Sequence, residues 1–243
     1  STLWAKNIPV MYLPYLSFPL SDERQSGFLF PSFTRSSSSG FGASAPYYVN
    51  LAPNYDLTVT PYIYEWRGLY LDNQFRYLTA SSAGFVTLGV LPDDREFAGF
   101  QEQAETKYQN KASYGELESS STTRRAFRWQ DQTVFNENWV GSVDYNYVSD
   151  DYFIEDNLPQ NIAGADNSQL LRKANVNYYG EHWTFQGLLQ SYQTLHPVDQ
   201  NSIDNQYARL PELTFNADYP DQVKGLETTF TSQYDYFYME KDP

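Results

Sequence analysis

Cysteine is absent from this chain of 243 residues, and histidine and methionine occur only twice each. Without cysteine, these residues can form no disulfide, no thiolate zinc site and no cysteine nucleophile. His182 and His196 do not stand at the His-x-x-x-His or similar spacing that would place two imidazoles on one metal. We therefore expect no metal and no cofactor.

Positive charge is also scarce. The chain has 16 Lys and Arg against 30 Asp and Glu, which gives a formal net charge of −14 and an isoelectric point of about 4.4. Because nucleic-acid phosphates must be met by Lys and Arg, we expect no nucleic-acid partner. Acidic loops that only keep a protein soluble would produce the same excess.

Signals for catalysis and for a helical membrane anchor are missing as well. No run approaches the roughly 20 apolar residues of a transmembrane helix, and no basic segment followed by an apolar one opens the chain. There is no Gly-x-Ser-x-Gly elbow and no glycine-rich phosphate loop. The adjacent pairs Asp93-Asp94 and Asp150-Asp151 are expected to be solvated loop charges rather than catalytic groups. The sequence thus predicts a protein that is not an enzyme.

Aromatic residues, in contrast, are abundant. They make up 18% of the chain, with 22 Tyr, 16 Phe and 5 Trp, although the mean hydropathy of −0.61 is that of a polar protein. Many aromatic residues on a polar chain are typical of strands with one apolar and one polar face. Rings also cluster at strand ends, for example Tyr178-Tyr179 with Trp183. Both a membrane-interface girdle and ordinary strand propensity explain such clusters.

The alternation of apolar and polar residues predicts about 11 strands of about 9–13 residues, the length that a tilted strand needs to cross a bilayer. In Tyr55–Tyr64, Leu57 and Val59 point one way, and Asp56 and Thr58 point the other. The predicted strands after the first 20 residues are 28–36, 41–51, 55–64, 69–78, 82–91, 124–135, 139–148, 170–179, 183–195, 209–219 and 226–239.

Short turns alternate with long polar loops at 92–123, 149–167 and 196–207. A short helix is conceivable over Ala98–Tyr108, but no strong apolar period supports it. Long loops on one rim and short turns on the other are expected of an outer-membrane barrel. The soluble alternative is a large β-sandwich, propeller or jelly roll, whose strands average about 5–6 residues.

Two prolines lie inside predicted strands: Pro31 in Phe28–Ser36 and Pro46 in Phe41–Leu51. Proline donates no ladder hydrogen bond, and a sealed barrel in lipid tolerates few missing bonds. The residues alone leave two interpretations open. Either the prolines mark a seam that can part sideways, or they mark a bulge whose donor would face solvent anyway.

The stretch from residue 12 to residue 95 resembles the LPS-assembly outer-membrane (LptD, or organic solvent tolerance) family, where LPS is lipopolysaccharide. The residues that carry the resemblance are YLPYL (12–16), DERQSGFLFP (22–31), PYYVNLAPNYD (46–56), TVTP (58–61), RG (67–68), FRYL (75–78) and LPDD (91–94). Later pieces, such as VDY (143–145) and VSD (148–150), are similar but scattered.

The resemblance implies an all-β fold: a partial transmembrane antiparallel β-barrel over residues 21–243, preceded over residues 1–20 by the last strands of a periplasmic β-jellyroll. It implies a cell outer-membrane location in a Gram-negative bacterium, with the N-terminal end in the periplasm. Its implied partners are the plug lipoprotein LptE inside the barrel and the bridge protein LptA on the jellyroll, with LPS as the substrate. Pro31 and Pro46 match the lateral-gate prolines of the family.

On this interpretation the inner face would be a hydrophilic conduit for sugars and phosphates. The residues expected to face the lumen are Asp56, Asp72, Gln74, Arg76, Asp144, Asn146 and Gln186. A passive porin-like barrel is the alternative function, and a soluble β-rich carbohydrate-binding module is a third. The porin-like barrel predicts steady conductance without a plug lipoprotein, and the carbohydrate-binding module predicts a monomer in buffer without detergent.

Overall fold

Fifteen strands and two helices make up the computed structural model, which describes residues 2–5, 8–12, 24–111, 113–156, 158, 168–201, 203–223 and 225–239. The strands and helices run in the order β1 (Thr2–Ala5), β2 (Ile8–Tyr12), β3 (Gly27–Phe28), β4 (Ser32–Ser36), β5 (Gly40–Ser44), β6 (Tyr47–Ala52), β7 (Tyr55–Tyr64), β8 (Gly68–Leu78), β9 (Ser82–Leu91), α1 (Arg95–Tyr108), α2 (Tyr114–Ser119), β10 (Arg124–Val134), β11 (Trp139–Val148), β12 (Gln169–Tyr179), β13 (Trp183–Thr194), β14 (Ala208–Val223) and β15 (Leu226–Tyr238).

All strand pairs in the described residues are antiparallel. Strands β1 and β2 form a two-stranded sheet of their own, and the other strands form one 13-stranded sheet in which β7 to β15 follow each other in chain order. The predicted all-β antiparallel fold is therefore confirmed. Neither of the two helices is long and apolar enough to cross a membrane.

The first hairpin of the large sheet corrects two predicted strands, because 28–36 and 41–51 are each broken in two. β3 pairs with β6, β4 pairs with β5, and residues 29–31 and 45–46 belong to no strand. Each gap contains a proline, which has no N–H to donate to a ladder. If β3 with β4, and β5 with β6, are taken as interrupted strands, the large sheet has the 11 strands that the sequence predicts.

The connections divide the sheet into two rims. We call the edge at which β4, β7, β9, β11 and β13 end the long-loop rim. The opposite edge carries only short connections, for example 53–54, 79–81 and 180–182, and we call it the short-turn rim. The predicted alternation of short turns and long loops is thus present in the structure.

The loop 92–123 is not structureless, because it contains α1 and α2. Asp94 is the N-cap of α1, and its carboxylate accepts the N–H of Phe97 at 3.1 Å. The helix begins three residues before the predicted Ala98 and buries Phe97 and Ala104. The apolar residues that cover this face come from other loops, among them Tyr152 and Val198. The local apolar period is weak because the partners are distant in sequence.

These loops fold together into what we call the loop cap: α1, α2 and residues 149–156, 158 and 195–198. One apolar cluster of the cap joins Phe97, Ala104 and Leu117 to Tyr152 and Val198. A second joins loop residues to the strand ends at the long-loop rim; it comprises Tyr64, Tyr70, Leu91, Ala126, Val148, Phe153, Ile154, Leu158, Leu170 and Leu195. The cap is therefore packed onto the sheet through apolar burial.

Residues 13–23 lie outside the described residues, and so does part of the segment assigned to a jellyroll. That assignment of residues 1–20 stays a prediction.

Candidate functional site

The strand register places all seven predicted lumen residues on one face of the large sheet, which we call the polar face. Asp56 lies opposite Arg76, and Asp144 and Asn146 lie opposite Gln130 and Arg128. Side chains two residues apart on a strand share a face. The register carries the same face across to Asp72, Gln74 and Gln186.

Two carboxylates on the polar face, those of Asp56 and Asp144, are held by neighbouring side chains. Asp56 is almost fully buried and accepts two hydrogen bonds from Arg76, at 2.7 Å from Nε and 2.8 Å from Nη2. Asp144 accepts from Gln130 Nε2 at 2.9 Å and from Asn146 Nδ2 at 3.0 Å. A polar cleft of about 640 Å³ runs beside Arg76 and Asp144. The face thus offers charged and amide groups in fixed positions.

The opposite face, which we call the apolar face, is unusual in being both apolar and exposed. Ile63 is 65% exposed, Leu69 43% and Leu189 49%, whereas Asn146 on the polar face is 1% exposed. Soluble proteins rarely leave so many large apolar side chains on one contiguous surface. The sheet therefore buries polar groups and exposes apolar ones.

The prolines lie where the edge strand is interrupted. Pro31 ends the gap between β3 and β4, and Pro46 ends the gap between β5 and β6 on the neighbouring strand. One backbone hydrogen bond crosses the gap, from the N–H of Leu29 to the carbonyl of Pro46 at 2.8 Å. The structure thus shows an interrupted ladder at both positions.

A buried ion cluster lies beneath the loop cap. Arg124 is fully buried and forms a fork with Asp150, with Nε 2.9 Å from Oδ2 and Nη2 2.6 Å from Oδ1. Its Nη1 donates to Asp94 Oδ2 at 2.8 Å and also to Asp156. The guanidinium carbon stands 4.4 Å from the centre of the Phe97 ring. One side chain at the start of β10 thereby holds both long loops that flank β10 and β11.

A second arginine extends the ion cluster to the first hairpin. Arg67, 2% exposed, donates from Nη1 to Asp94 Oδ2 at 2.6 Å and from Nη2 to Asp156. Its Nε donates to the carbonyl oxygen of Ser38 at 2.9 Å. We define the ion cluster as Arg67, Asp94, Arg124, Asp150 and Asp156. It connects the turn 37–39, the turn 65–67 and the loops 92–123 and 149–158.

The ion cluster corrects the prediction that the two aspartate pairs are solvated. Asp93 is exposed as expected, but Asp94 and Asp150 are buried and paired. Asp151 is half-buried; its burial raises its pKa, neighbouring carboxylates raise it further, and a hydrogen bond with the His196 backbone lowers it. No group of three or more His, Asp or Glu that could hold a metal lies among the described residues.

Sequence reasoning missed the ion cluster because its five members come from four separate segments. Each stands at the end of a strand or in a connection, where a charged residue is ordinary. The available signal was that Arg67 and Arg124 lie at the same rim as the aspartates once the strands are paired in order. That placement requires the register, which one sequence does not supply.

A protein-family model matches about half of this chain. The family described as "LptD: LPS transport system D" matches residues 122–243. The match covers the half of the chain in which the sequence motifs are scattered, and it begins two residues before the strand that carries Arg124.

Curated relatives cover nearly the whole chain. The LPS-assembly protein LptD of Legionella pneumophila (strain Lens) is 40% identical over 234 residues, which is 96% of this chain and 27% of that protein. The protein of the same name from Coxiella burnetii (strain RSA 493 / Nine Mile phase I) is 37% identical over 93% of the chain and 27% of its own length. That from Pseudomonas aeruginosa (strain UCBPP-PA14) is 34% identical over 100% of the chain and 24% of its own length. The chain spans about a quarter of the length of these relatives.

Proposed function

This chain belongs to the LptD family, and from that premise we propose that it forms part of the wall of an outer-membrane β-barrel through which LPS is assembled into the outer leaflet. The observation that carries the proposal is the inverted burial of the large sheet. Large side chains of its apolar face, such as Ile63 and Leu189, are exposed, whereas Asp56, Asp72 and Asn146 on its polar face are buried. A strand wall with lipid on one side and water on the other has this distribution.

Strand length agrees with a membrane crossing. Strands β7 to β13 contain 10–12 residues each, and a tilted strand needs about 9–11 residues to cross a bilayer. In this arrangement the long-loop rim faces the cell exterior and the short-turn rim faces the periplasm. The N-terminal segment 1–20 would then lie in the periplasm as part of a jellyroll.

The polar face is our candidate for the conduit. Asp56 with Arg76, and Asp144 with Gln130 and Asn146, present donors and acceptors along neighbouring strands. Sugar hydroxyls and phosphates can exchange hydrogen bonds along such a surface without leaving a polar environment. No group on this face is asked to do chemistry, so we propose transport without catalysis.

Pro31 and Pro46 are our candidates for a lateral gate, because they interrupt the ladder at the edge of the sheet. The acyl chains of LPS would leave sideways at this edge while the sugars follow the polar face. The family resemblance supplies the proposed partners: LptE as the plug inside the complete barrel and LptA on the jellyroll. Co-purification of the full-length protein with each partner tests those two assignments.

The orientation of the sheet can be tested with two neighbouring residues at the middle of β11. Val143 lies on the apolar face and Ser142 on the polar face. In the full-length protein, Val143→Lys would place a charge in lipid at a cost of about 2–4 kcal/mol, whereas Ser142→Lys would place it in water. We expect Val143→Lys to lower the amount of protein assembled in the outer membrane at least tenfold and Ser142→Lys to leave it near the wild-type amount. Equal amounts would contradict the orientation.

The transport role is tested by depleting the full-length protein in its source bacterium and labelling LPS at the cell surface. The proposal requires that newly made LPS no longer reach the surface, and uninterrupted delivery would refute it. In the Pro31→Ala, Pro46→Ala double variant we expect slower LPS delivery, and unchanged delivery with unchanged envelope permeability would rule out the gate. A passive porin is the competing function; it predicts steady ion conductance from the full-length protein without LptE.

A further inference from the structure

A groove crosses the apolar face of the large sheet in the half of the wall next to the short-turn rim. It has a volume of about 320 Å³, and its lining comes from five neighbouring strands, β10 to β14. The floor of the groove is formed by small residues on this face, Gly141, Ala174 and Gly187. Large exposed apolar side chains border the floor: Phe135, Leu189 and Leu213.

The dimensions of the groove fit one extended acyl chain. Neighbouring strands lie about 4.8 Å apart, so the four spacings from β10 to β14 span roughly 19 Å. One leaflet supplies half of the roughly 30 Å hydrocarbon core of a bilayer, which is a similar length. A Cβ at Gly187 would stand 3.4 Å from Val176 and 3.5 Å from Phe185, the two nearest side chains. The floor is therefore open at Gly187, and a larger side chain there would fill the groove.

A carboxylate stands at the β10 end of the groove. Asp131 is half-buried and lies opposite Val143, which places it on the apolar face. Its carboxylate accepts hydrogen bonds from the hydroxyl of Tyr77 and, at 2.6 Å, from the hydroxyl of Thr133. Trp129 Nε1 donates to the same Tyr77 hydroxyl at 3.1 Å. Within the part of the chain that the structure describes, no arginine, lysine or histidine forms an ion pair with Asp131.

An acidic side chain on a lipid-facing surface needs a cation. Ionisable residues inside a membrane are costly, and they mark sites at which a partner compensates the charge. The hydroxyls of Tyr77 and Thr133 fix the carboxylate of Asp131 but carry no positive charge. Asp131 lies three residues before the end of β10 at the short-turn rim, where lipid headgroups meet the wall. The ammonium of a headgroup supplies both the charge and the donors, whereas the phosphates of LPS have the wrong sign.

We propose that the groove binds an aminophospholipid of the periplasmic leaflet, with one acyl chain over Gly141 and Gly187 and the headgroup ammonium on the carboxylate of Asp131. This inference rests on the proposed function, because it takes the apolar face as lipid-facing and the short-turn rim as periplasmic. The site lies on the outside of the wall and is separate from the conduit on the polar face.

Native mass spectrometry of the full-length protein tests the site. The protein is stripped of lipid in detergent and then titrated with phosphatidylethanolamine or with phosphatidylglycerol of identical acyl chains. We expect the first phosphatidylethanolamine to bind about tenfold more tightly than the first phosphatidylglycerol, because only its headgroup forms a charge-assisted hydrogen bond with Asp131. Equal affinity for the two lipids overturns the site.

Two variants with matched controls locate the binding. Asp131→Asn should abolish the preference for phosphatidylethanolamine, whereas Asp218→Asn, which removes the same charge from an exposed residue outside the groove, should keep it. Gly187→Leu fills the groove and should weaken the binding of both lipids about tenfold. Its control is Ala43→Leu, which enlarges a residue on the apolar face opposite Ile63, away from the groove. A preference that survives Asp131→Asn, or equal effects of a variant and its control, contradicts the assignment.

Structure determination of the full-length protein in phosphatidylethanolamine nanodiscs gives a second readout. We expect tubular lipid density that follows the groove and ends at Asp131. An empty groove, or a second polypeptide lying in it, refutes the lipid site. If depletion leaves LPS delivery uninterrupted, the proposed transport role fails while selective lipid binding stands. Equal affinity for the two lipids with normal LPS delivery refutes the lipid site alone.

Discussion

Replacing Arg124 with methionine tests the ion cluster at the arginine that binds three of its carboxylates. The guanidinium binds Asp150 through two nitrogens and Asp94 and Asp156 through the third. Methionine keeps an unbranched stem of similar length between the Phe97 and Phe153 rings but carries no donor. Asp94 and Asp156 would then keep Arg67, whereas Asp150 would lose its arginine.

The expected loss of stability depends on which hydrogen-bond partners the carboxylates keep when Arg124 is replaced. Removing one member of a buried ion pair costs about 3–5 kcal/mol, because an uncompensated charge stays buried. Asp94 would keep Arg67 and the Phe97 N–H, while Asp150 would keep the Ser149 hydroxyl and the Tyr152 N–H. We therefore expect the lower part of that range, about 3 kcal/mol, which is on the order of a hundredfold rise in the open population of the loop cap.

The assay is amide hydrogen exchange of α1 in the full-length protein. Arg125→Met is the matched control, since Arg125 is the exposed neighbour on the same strand. Arg124→Lys should give an intermediate effect, because it keeps the charge but loses the fork. Exchange of α1 within threefold of wild type in Arg124→Met would refute the reasoning that the ion cluster holds the loop cap down.

Three further predictions concern the loop cap and the strand end beneath it. Asp94→Asn keeps an N-cap residue for α1 but breaks its ion pairs, so the cap should loosen in exchange experiments, while Asp93→Asn should have no effect. Gly68→Ala should cost about 1–2 kcal/mol, because its φ of 114° is unfavourable for a side chain, whereas Gly99→Ala in α1 should stabilise the helix by up to about 1 kcal/mol in thermal unfolding. Asp151 has a raised pKa in the folded chain, so its ionised form costs stability at neutral pH. Asp151→Asn should therefore stabilise the loop cap at neutral pH. The gain should vanish as the pH falls to the ordinary carboxyl pKa, near 3.8, because the carboxyl group is then protonated in both the folded and the unfolded chain.

Alternation predicted the sheet because each strand carries its own two faces. In β7 and β8 the sequence alone separates Leu57 and Leu71 from Asp56 and Asp72, and the register later places each pair on a common face. The positions of Pro31 and Pro46 could be read in the same way. Their consequence, two broken strands instead of two continuous ones, depends on which N–H each ladder needs, and pairing decides that.

The loop cap could not be predicted for a physical reason. The apolar side of α1 is short, and Phe97 is covered by Tyr152, which follows it by 55 residues. Periodicity methods detect a face only where the segment itself repeats it. Likewise, Asp94 and Asp150 resemble loop charges until the pairing of β9, β10 and β11 brings them to the same arginine.

Two features of the long-loop rim, its buried apolar residues and the ion cluster, indicate that the conduit proposed above is closed at rest. Away from this rim, the polar face carries side chains that are exposed to water, such as Arg76 and Gln132. At the long-loop rim the same face carries Tyr64, Tyr70 and Leu91, and the loop cap buries all three. An open pore would leave apolar residues at its mouth exposed to water, whereas a closed loop cap buries them. The ion cluster adds to this closure, because Arg67 and Arg124 fix the loop cap to the strand ends and to the first hairpin.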